Sequence, residues 1–388
     1  MRTPLVILAA LSLACAAHGG DGRISISQTD IETSPFVYVI TNSGSYMLTG
    51  NLDVGAPNMD GISVQAHDVT IDLNGFAIRS LASATRSGIV QSNKWSGLCV
   101  RNGAVSGWDG SGHAGIRALG DGNRVEDVVA SGNYDGVRVG NGGLVVGCSA
   151  ISNTHYGIYS GNGSVIRGCT AWKNSSRGIS AGAGCVVVGC TARSNETDYA
   201  LYAGDGSVVS RCAASVNEGD GIHAQSGVVV VDCAVWTNNG NGIEVRGGSV
   251  VRGCTLGRNG AGAIAVGEGS LVEGCSILSN RNVGITVGSG CGVRNCTVAY
   301  ARNSAIQVTY DNRVEGNDCI GSGDNGIQVA YSGNYIAENS ATRNDIGINC
   351  TVAGNAIVRN SAGQNTNANY SVVGGNQVGP IRSEAANV

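Results

Sequence analysis

Proline is nearly missing from this chain, with 4 in 388 residues, phenylalanine occurs twice, and the only lysines are Lys94 and Lys173. Charged residues make up only 13% and aromatics 5%. These scarcities remove whole classes of protein. The formal net charge is -4, and -5 once Arg2 is removed with a leader, so no basic stripe exists for nucleic acid to bind. Beyond the first residues no apolar run is long enough to cross a membrane as a helix. Cysteine is not scarce, at 14, but loss of Cys15 leaves 13, an odd number that fits a disulfide framework poorly.

The exception to the absent apolar runs is the start, "MRTPLVILAALSLACA", with its basic residue, short apolar stretch and small-x-small ending at Ala14-Cys15-Ala16. It predicts a secretory signal cleaved near Ala16 or Ala17, and hence a secreted, periplasmic or cell-surface protein. The rival reading is a lipidated Cys15, against which Ser12 stands where such motifs carry leucine.

What the chain does have is glycine, 62 residues of it, and a repeat. "VIRGCTAWKNSSRGI" recurs as "VVVGCTARSNETDYAL", "VVRGCTLGRNGAGAI" and "LVEGCSILSNRNVGI". Cys148, Cys169, Cys190, Cys212, Cys233, Cys254, Cys275 and Cys296 follow one another at 21 residues, once at 22, with Asp127 before them and Asn317, Asn339 and Asn360 after them in the same frame. Three residues ahead of each slot stands an aliphatic residue, Val145, Ile166 or Val187 for example; five after it stands an asparagine, from Asn153 to Asn280; further on comes Gly-Ile or a relative. The alternation of inward and outward positions runs in stretches too short for helices. A leucine-rich repeat needs a denser leucine pattern, so the period predicts an all-β parallel solenoid with three short strands per coil.

With coils about 4.8 Å apart, roughly a dozen or more of them make a rod of roughly 60 Å. The predicted boundaries are a signal peptide at 1–16, an N-terminal cap at 17–60, the parallel β-helix at 61–365, and a C-terminal cap or tail at 366–388. Stacking turns each repeated position into a column. The cysteines are expected as small buried core residues, and the asparagines as amide-to-amide ladders bonded to turn backbone. Disulfides between neighbouring coils fit the Cα spacing but not the parallel side-chain directions. A row of thiols is likewise the wrong arrangement to surround a metal ion.

The "VTIDLNGFAI" coil and the "VxGCxxxxNxxxGIxV" units resemble the right-handed parallel β-helix repeat proteins of the pectate-lyase-like superfamily. The resemblance covers nearly the whole chain after the leader and implies right-handedness. It is specific for fold and poor for function, since that superfamily holds lyases, hydrolases, epimerases, tailspikes and adhesins. The polygalacturonase set of Asn-x-Asp, Asp-Asp, His-Gly and Arg-x-Lys is missing here, as is the Asp-Pro-His-Glu motif of alginate epimerases.

Two features could carry chemistry. The turns "NETD" and "NEGD" stand at matching positions of adjacent coils, so stacking places Glu196 beside Glu218 and Asp198 beside Asp220, and four carboxylates that close call for a cation, calcium by hardness, or read as a screened acidic turn. Were such a site catalytic, the resemblance implies calcium-assisted β-elimination on a uronic-acid polymer, with Arg177 or His223 as base. The second feature is the outward column after each Gly-Ile, in which Arg138, Tyr159, Tyr202, His223 and Glu244 mix donors and rings suited to sugars before the column turns bland. Trp172 and Trp236 form another outward column three coils apart, and the longer loop "GWDGSGH" carries Trp108, Asp109 and His113. Three functions therefore stand: an exported β-helix that binds extracellular polysaccharide along one flank, a calcium-dependent polysaccharide lyase, and a structural or adhesive surface rod. Whether the chain is an enzyme stays open at this point.

Overall fold

The computed structural model describes residues 22–32, 37–82 and 86–383; the expected signal peptide lies outside them. The chain is an all-β right-handed parallel solenoid. A coil consists of three short strands, as in Leu144–Val146, Ser149–Ile151 and Ile158–Ser160. The third strands, from Tyr38–Ile40 to Ala368–Val372, stack into one 16-stranded parallel sheet, and the first two strands of each coil build the other walls. Sixteen strands at the parallel spacing give a stack of about 72 Å, longer than the roughly 60 Å expected. Parallel pairing already begins with Ile24 opposite Tyr46 and Tyr38 opposite Ile62, inside the 17–60 segment, and continues to Arg382 opposite Ser361. No helix among the described residues is long and apolar enough to cross a membrane.

The core explains the repeat. Val145, Ile166, Val187, Val209 and Val230 are all fully buried in one column, Ala150, Ala171, Ala192 and Ala214 in a second, and Ile158, Ile179, Leu201, Ile222 and Ile243 in a third. Each large aliphatic side chain so buried contributes roughly 1.5–3 kcal/mol before entropy. Between the first and second strands the chain turns sharply at a residue with positive φ, Gly147 at 63° and Gly168 at 62°, a conformation that glycine adopts without the steric cost of a Cβ. The next residue is the cysteine. Cys169 Sγ donates to the carbonyls of Arg167 (3.4 Å) and Val145 (3.6 Å), so the sulfur closes the corner and links two coils. All thirteen described cysteines are free, and all but Cys99 are buried. Burial pushes the Cys291 and Cys319 thiols up from the ordinary thiol range.

Asp127 does not hold the cysteine slot. Glu126 lies opposite Val146 and Val129 opposite Ser149, so Asp127 takes the left-handed turn position of Gly147, with φ 51°, and the buried Val128 takes the place of Cys148. The coil is one residue shorter than the 21-residue period, which a count from cysteine to cysteine does not reveal.

The asparagine column forms a continuous ladder. Asn153 Nδ2 donates to Asn174 Oδ1 (2.8 Å), Asn174 to Asn195 (3.0 Å), Asn195 to Asn217 (3.1 Å), Asn217 to Asn238 (2.8 Å) and Asn238 to Asn259 (3.1 Å). Each acceptor also takes the backbone N–H of the asparagine one coil below, as Asn217 Oδ1 does from Asn195 (2.9 Å). Every polar atom of these buried amides is thereby used, which is what makes a polar column tolerable inside a core. Trp108, from the additional loop, is fully buried over Gly61 and Gly88; it plugs the N-terminal coils rather than presenting its indole to a partner.

Candidate functional site

The third strands turn the residue after each buried aliphatic away from the core, and the registers confirm the column: Arg117 opposite Arg138, Arg138 opposite Tyr159, Tyr159 opposite Ser180, Ser180 opposite Tyr202, Tyr202 opposite His223 and His223 opposite Glu244. Three residues upstream runs a second column that the residue after Gly-Ile did not disclose. It holds Asp135, Tyr156, Arg177, Tyr199, Asp220 and Asn241, and it flanks the first so closely that the two make a single surface.

That surface is a chain of stacked flat groups. The Arg138 guanidinium lies 4.7 Å from the centre of the Tyr159 ring. Tyr156 and Tyr159 stack at 5.8 Å, and His155 covers Tyr156 at 3.7 Å. Arg177 bridges the coils, its guanidinium 5.8 Å from Tyr156, 5.1 Å from Tyr199 and 4.4 Å from Tyr202. His223 continues the stack, 4.0 Å from Tyr199 and nearly parallel to it at 22°, and 6.1 Å from Tyr202 at 10°. Flat groups stacked through cation–π and offset ring contacts hold one another in place, so the surface is stiff before any ligand arrives.

Carboxylates anchor both ends. Asp135 is fully buried; it accepts from His155 Nδ1 (2.8 Å) and from the backbone N–H of Tyr156 (3.2 Å), and pairs with Arg138 (3.4 Å). At the other end Asp220 Oδ2 lies 3.5 Å and Glu244 Oε1 4.0 Å from His223 Nδ1. Burial, and then the negative charge of Asp198 and Asp220, pushes the Tyr199 hydroxyl above the ordinary phenol range. Beyond Glu244 the same flank opens into a shallow trough of about 660 Å³ lined by Arg246, Ala265, Thr286 and Thr309.

The four carboxylates expected around calcium do not meet. Tyr199, not Asp198, lies opposite Asp220. Among the described residues, only Asp220 of the four belongs to a group of three ligand-bearing side chains, and its companions are His223 and Glu244. Glu196 and Glu218 are exposed on the outer side of the asparagine turn, where they share a depression with Lys173, and Glu218 accepts from Asn239 Nδ2 (2.7 Å). Asp198 is exposed, and its backbone carbonyl, not its carboxylate, reaches the Asp220 N–H (2.8 Å). Among the described residues the four carboxylates thus do not converge into one set of ligands.

Trp172 and Trp236 do share a column, through Arg193 and Ser215, but on the second strands, across the asparagine turn from the tyrosines. Trp172 is 39% exposed with Lys173 Nζ 4.6 Å above its ring. Trp236 lies flat over Gly257, which has no side chain to displace it.

The family profile described as "Right handed beta helix region" matches residues 39–224, 145–292 and 226–320. Among solved structures the chain is similar to a mannuronan C-5 epimerase A-module of Azotobacter vinelandii, at 13% identity and a TM-score of 0.45, over 93% of this chain and 94% of that one. It is also similar to the catalytic unit of an α-1,3-glucanase from Streptomyces thermodiastaticus, at 12% identity and a TM-score of 0.42, over 96% of this chain and 71% of that one. The Dettilon tailspike protein matches at 14% identity and a TM-score of 0.44, over 80% of this chain and 63% of that one. No curated protein matches the sequence.

Proposed function

The chain belongs to the right-handed β-helix family, and from that premise we propose that it binds an extracellular polysaccharide lengthwise along the flank that runs from Arg138 to Glu244. The observation that carries this reading is the continuous stack of Tyr156, Tyr159, Arg177, Tyr199, Tyr202 and His223, crossing several coils without a break. Sugar rings have an apolar face that packs on aromatic planes and a rim of hydroxyls that needs donors and acceptors; here Arg138, Glu244 and Asn241 supply these beside the rings. The coil spacing of about 4.8 Å is close to the advance per residue of an extended 1,4-linked pyranose chain, so ring after ring of a polymer meets coil after coil. The arginines on the flank favour an acidic polymer. An address outside the cytoplasm follows from the apolar leader and is part of the same proposal.

The test is binding of the mature protein to a panel of acidic and neutral polysaccharides, read by affinity electrophoresis and by polymer size. Tyr202→Ala and Arg177→Ala should each lower affinity about fivefold or more, corresponding to about 1 kcal/mol for a lost ring or cation–π contact. Trp172→Ala, on the other wall, should leave it unchanged. Affinity indifferent to Tyr202 and Arg177 but lost with Trp172 overturns the choice of flank.

A second reading has one observation in its favour, the His223 imidazole set beside Asp220 and Glu244 at the end of the stack. It is β-elimination of a bound uronic-acid polymer: His223 takes the C5 proton, the C4=C5 double bond forms, and the O4 substituent leaves with the electron pair of the broken C4–O bond. Shortened polymer with ultraviolet-absorbing unsaturated ends would select this reading, and intact polymer retained on the protein selects binding alone.

A further inference from the structure

We propose that Asp220, His223 and Glu244 form a binding site for a borderline divalent transition cation, of which zinc is the type. Cation binding at these three side chains needs no polysaccharide. One carboxylate oxygen from each acid and one imidazole nitrogen lie within 4.8 Å of one another. His223 is only 6% exposed, and its Nδ1, shut off from solvent, has no hydrogen-bond partner. A buried imidazole nitrogen without a partner costs stability, so the space between it and the two acids calls for an occupant.

The surroundings aim the three ligands. Asn241 fixes both carboxylates at once: its backbone N–H donates to Asp220 Oδ1 (2.7 Å) and its Nδ2 to Glu244 Oε2 (2.7 Å). The opposite oxygens, Asp220 Oδ2 and Glu244 Oε1, are the ones that point to His223 Nδ1 at 3.5 and 4.0 Å. Gly240 lets this turn close, since a Cβ there would meet Asp220 Oδ1 at 2.3 Å. Tyr199, stacked on the imidazole, fixes its plane. Outer contacts that pin both ligating carboxylates are what organised metal sites use.

The donor set decides among cations. Tetrahedral bonds of about 2.0–2.1 Å to nitrogen and oxygen put ligand atoms about 3.4 Å apart, against 3.5 and 4.0 Å from His223 Nδ1 to the two carboxylate oxygens here, so the half-exposed Glu244 has to move in by about half an ångström. Calcium takes six to eight oxygens, and a nitrogen with two carboxylates is a poor match for it or for magnesium. Three protein ligands leave a coordination position open on the side of the half-exposed Glu244, toward the proposed polymer flank.

The experiment titrates chelator-treated mature protein with Zn2+ alone by calorimetry, and with Co2+ alone by visible spectroscopy. One equivalent of either should bind, and Co2+ should show d–d bands without the sulfur charge-transfer band that thiolate ligation by the cysteines would give. His223→Gln and Glu244→Gln should each weaken binding about tenfold or more, and Asn241→Ala, which removes only a positioning contact, by about tenfold. Glu244 is half-exposed, so its variant folds even if the buried His223 change does not, and it decides the question by itself. Tighter binding of Ca2+ or Mg2+ than of Zn2+, Zn2+ affinity unchanged in Glu244→Gln, or a sulfur band with Co2+ overturns the assignment. Zn2+ binding in a protein that retains no polysaccharide separates this site from the proposed function.

Discussion

Replacing Asn217 with alanine tests the polar ladder at the coil that leads into Asp220. In the native chain Asn217 Oδ1 accepts from the Asn195 backbone N–H (2.9 Å) and from Asn195 Nδ2 (3.1 Å). Its own Nδ2 donates to Ala192 O (3.1 Å) and Asn238 Oδ1 (2.8 Å). Alanine leaves the Asn195 N–H, buried and with no other acceptor, wholly unpaired at about 1–3 kcal/mol. Three further groups each lose one partner: Asn195 Nδ2, which still reaches Ala171 O (3.3 Å), Asn238 Oδ1, which still receives the residue-217 N–H (3.2 Å), and the carbonyl of Ala192. Adding about 1 kcal/mol for each of these three weakened neighbours gives a destabilisation of about 4–6 kcal/mol. Denaturant unfolding followed by circular dichroism, compared at equal m-values, measures it. A double-mutant cycle with Asn238→Ala should show a coupling of at least about 0.5 kcal/mol, since the two share a hydrogen bond. A loss below about 1 kcal/mol, or strict additivity of the pair, would mean that the ladder is geometry without energy, and the argument for it would fail.

Three further outcomes follow from the same geometry. Gly257→Ala puts a Cβ 2.3 Å from Trp236 Cζ3 and must drive the indole off the wall, so tryptophan emission should shift to the red with a loss of roughly 1 kcal/mol of stability; unchanged emission refutes the packing. In the folded mature protein an aromatic disulfide reagent should modify Cys99 first and the twelve buried thiols only after denaturant unfolds the coils, whereas rapid modification of several native thiols would contradict their burial. Burial, and then the charge of Arg117, lowers the His113 imidazole from its ordinary value. The unfolded chain therefore binds this proton more readily, so stability is complete above the ordinary histidine range and falls as pH drops through it toward the lower folded value. His113→Asn should flatten that part of a melting-temperature profile, and an unchanged slope refutes the assignment.

The fold was legible because a solenoid writes its core along the sequence. Val145, Ile166 and Val187 recur at the period of the coil, and their burial requires only that coils stack. The asparagines were legible as a ladder for the same reason. Columns that face outward are written less plainly, because no common environment selects their residues: Tyr156 and Tyr199, which join the column of Tyr159 and Tyr202 into one surface, stand where other coils place Asp135 and Arg177. Aligning the residue before the glycine, as well as the one after the isoleucine, brings them out. The second buried turn column, in which Ser164 donates its N–H to Cys185 Sγ (3.3 Å) and Cys185 its N–H to Ser207 Oγ (3.0 Å), was obscured because serine, cysteine and asparagine interchange in it.

The acidic turns show where counting fails and why. The step from Cys190 to Cys212 is 22 residues, and Asn195 pairs with Asn217 at that same offset. Four residues on, Tyr199 faces Asp220 and Leu201 faces Ile222 at an offset of 21. The additional residue is therefore absorbed between Asn195 and Tyr199, where the chain is exposed and free to bulge. A slip of the strand itself would have carried Leu201 and Ala203 from the core to solvent. Because the strand keeps its register, Asp198 is pushed outward with the bulge and Tyr199 moves into line with Asp220. One surplus residue in a turn thus dissolves the four-carboxylate cluster that the 22-residue count implies. It also brings the Tyr199 ring over His223, which closes the stacked flank on the side where Asp220 and Glu244 converge.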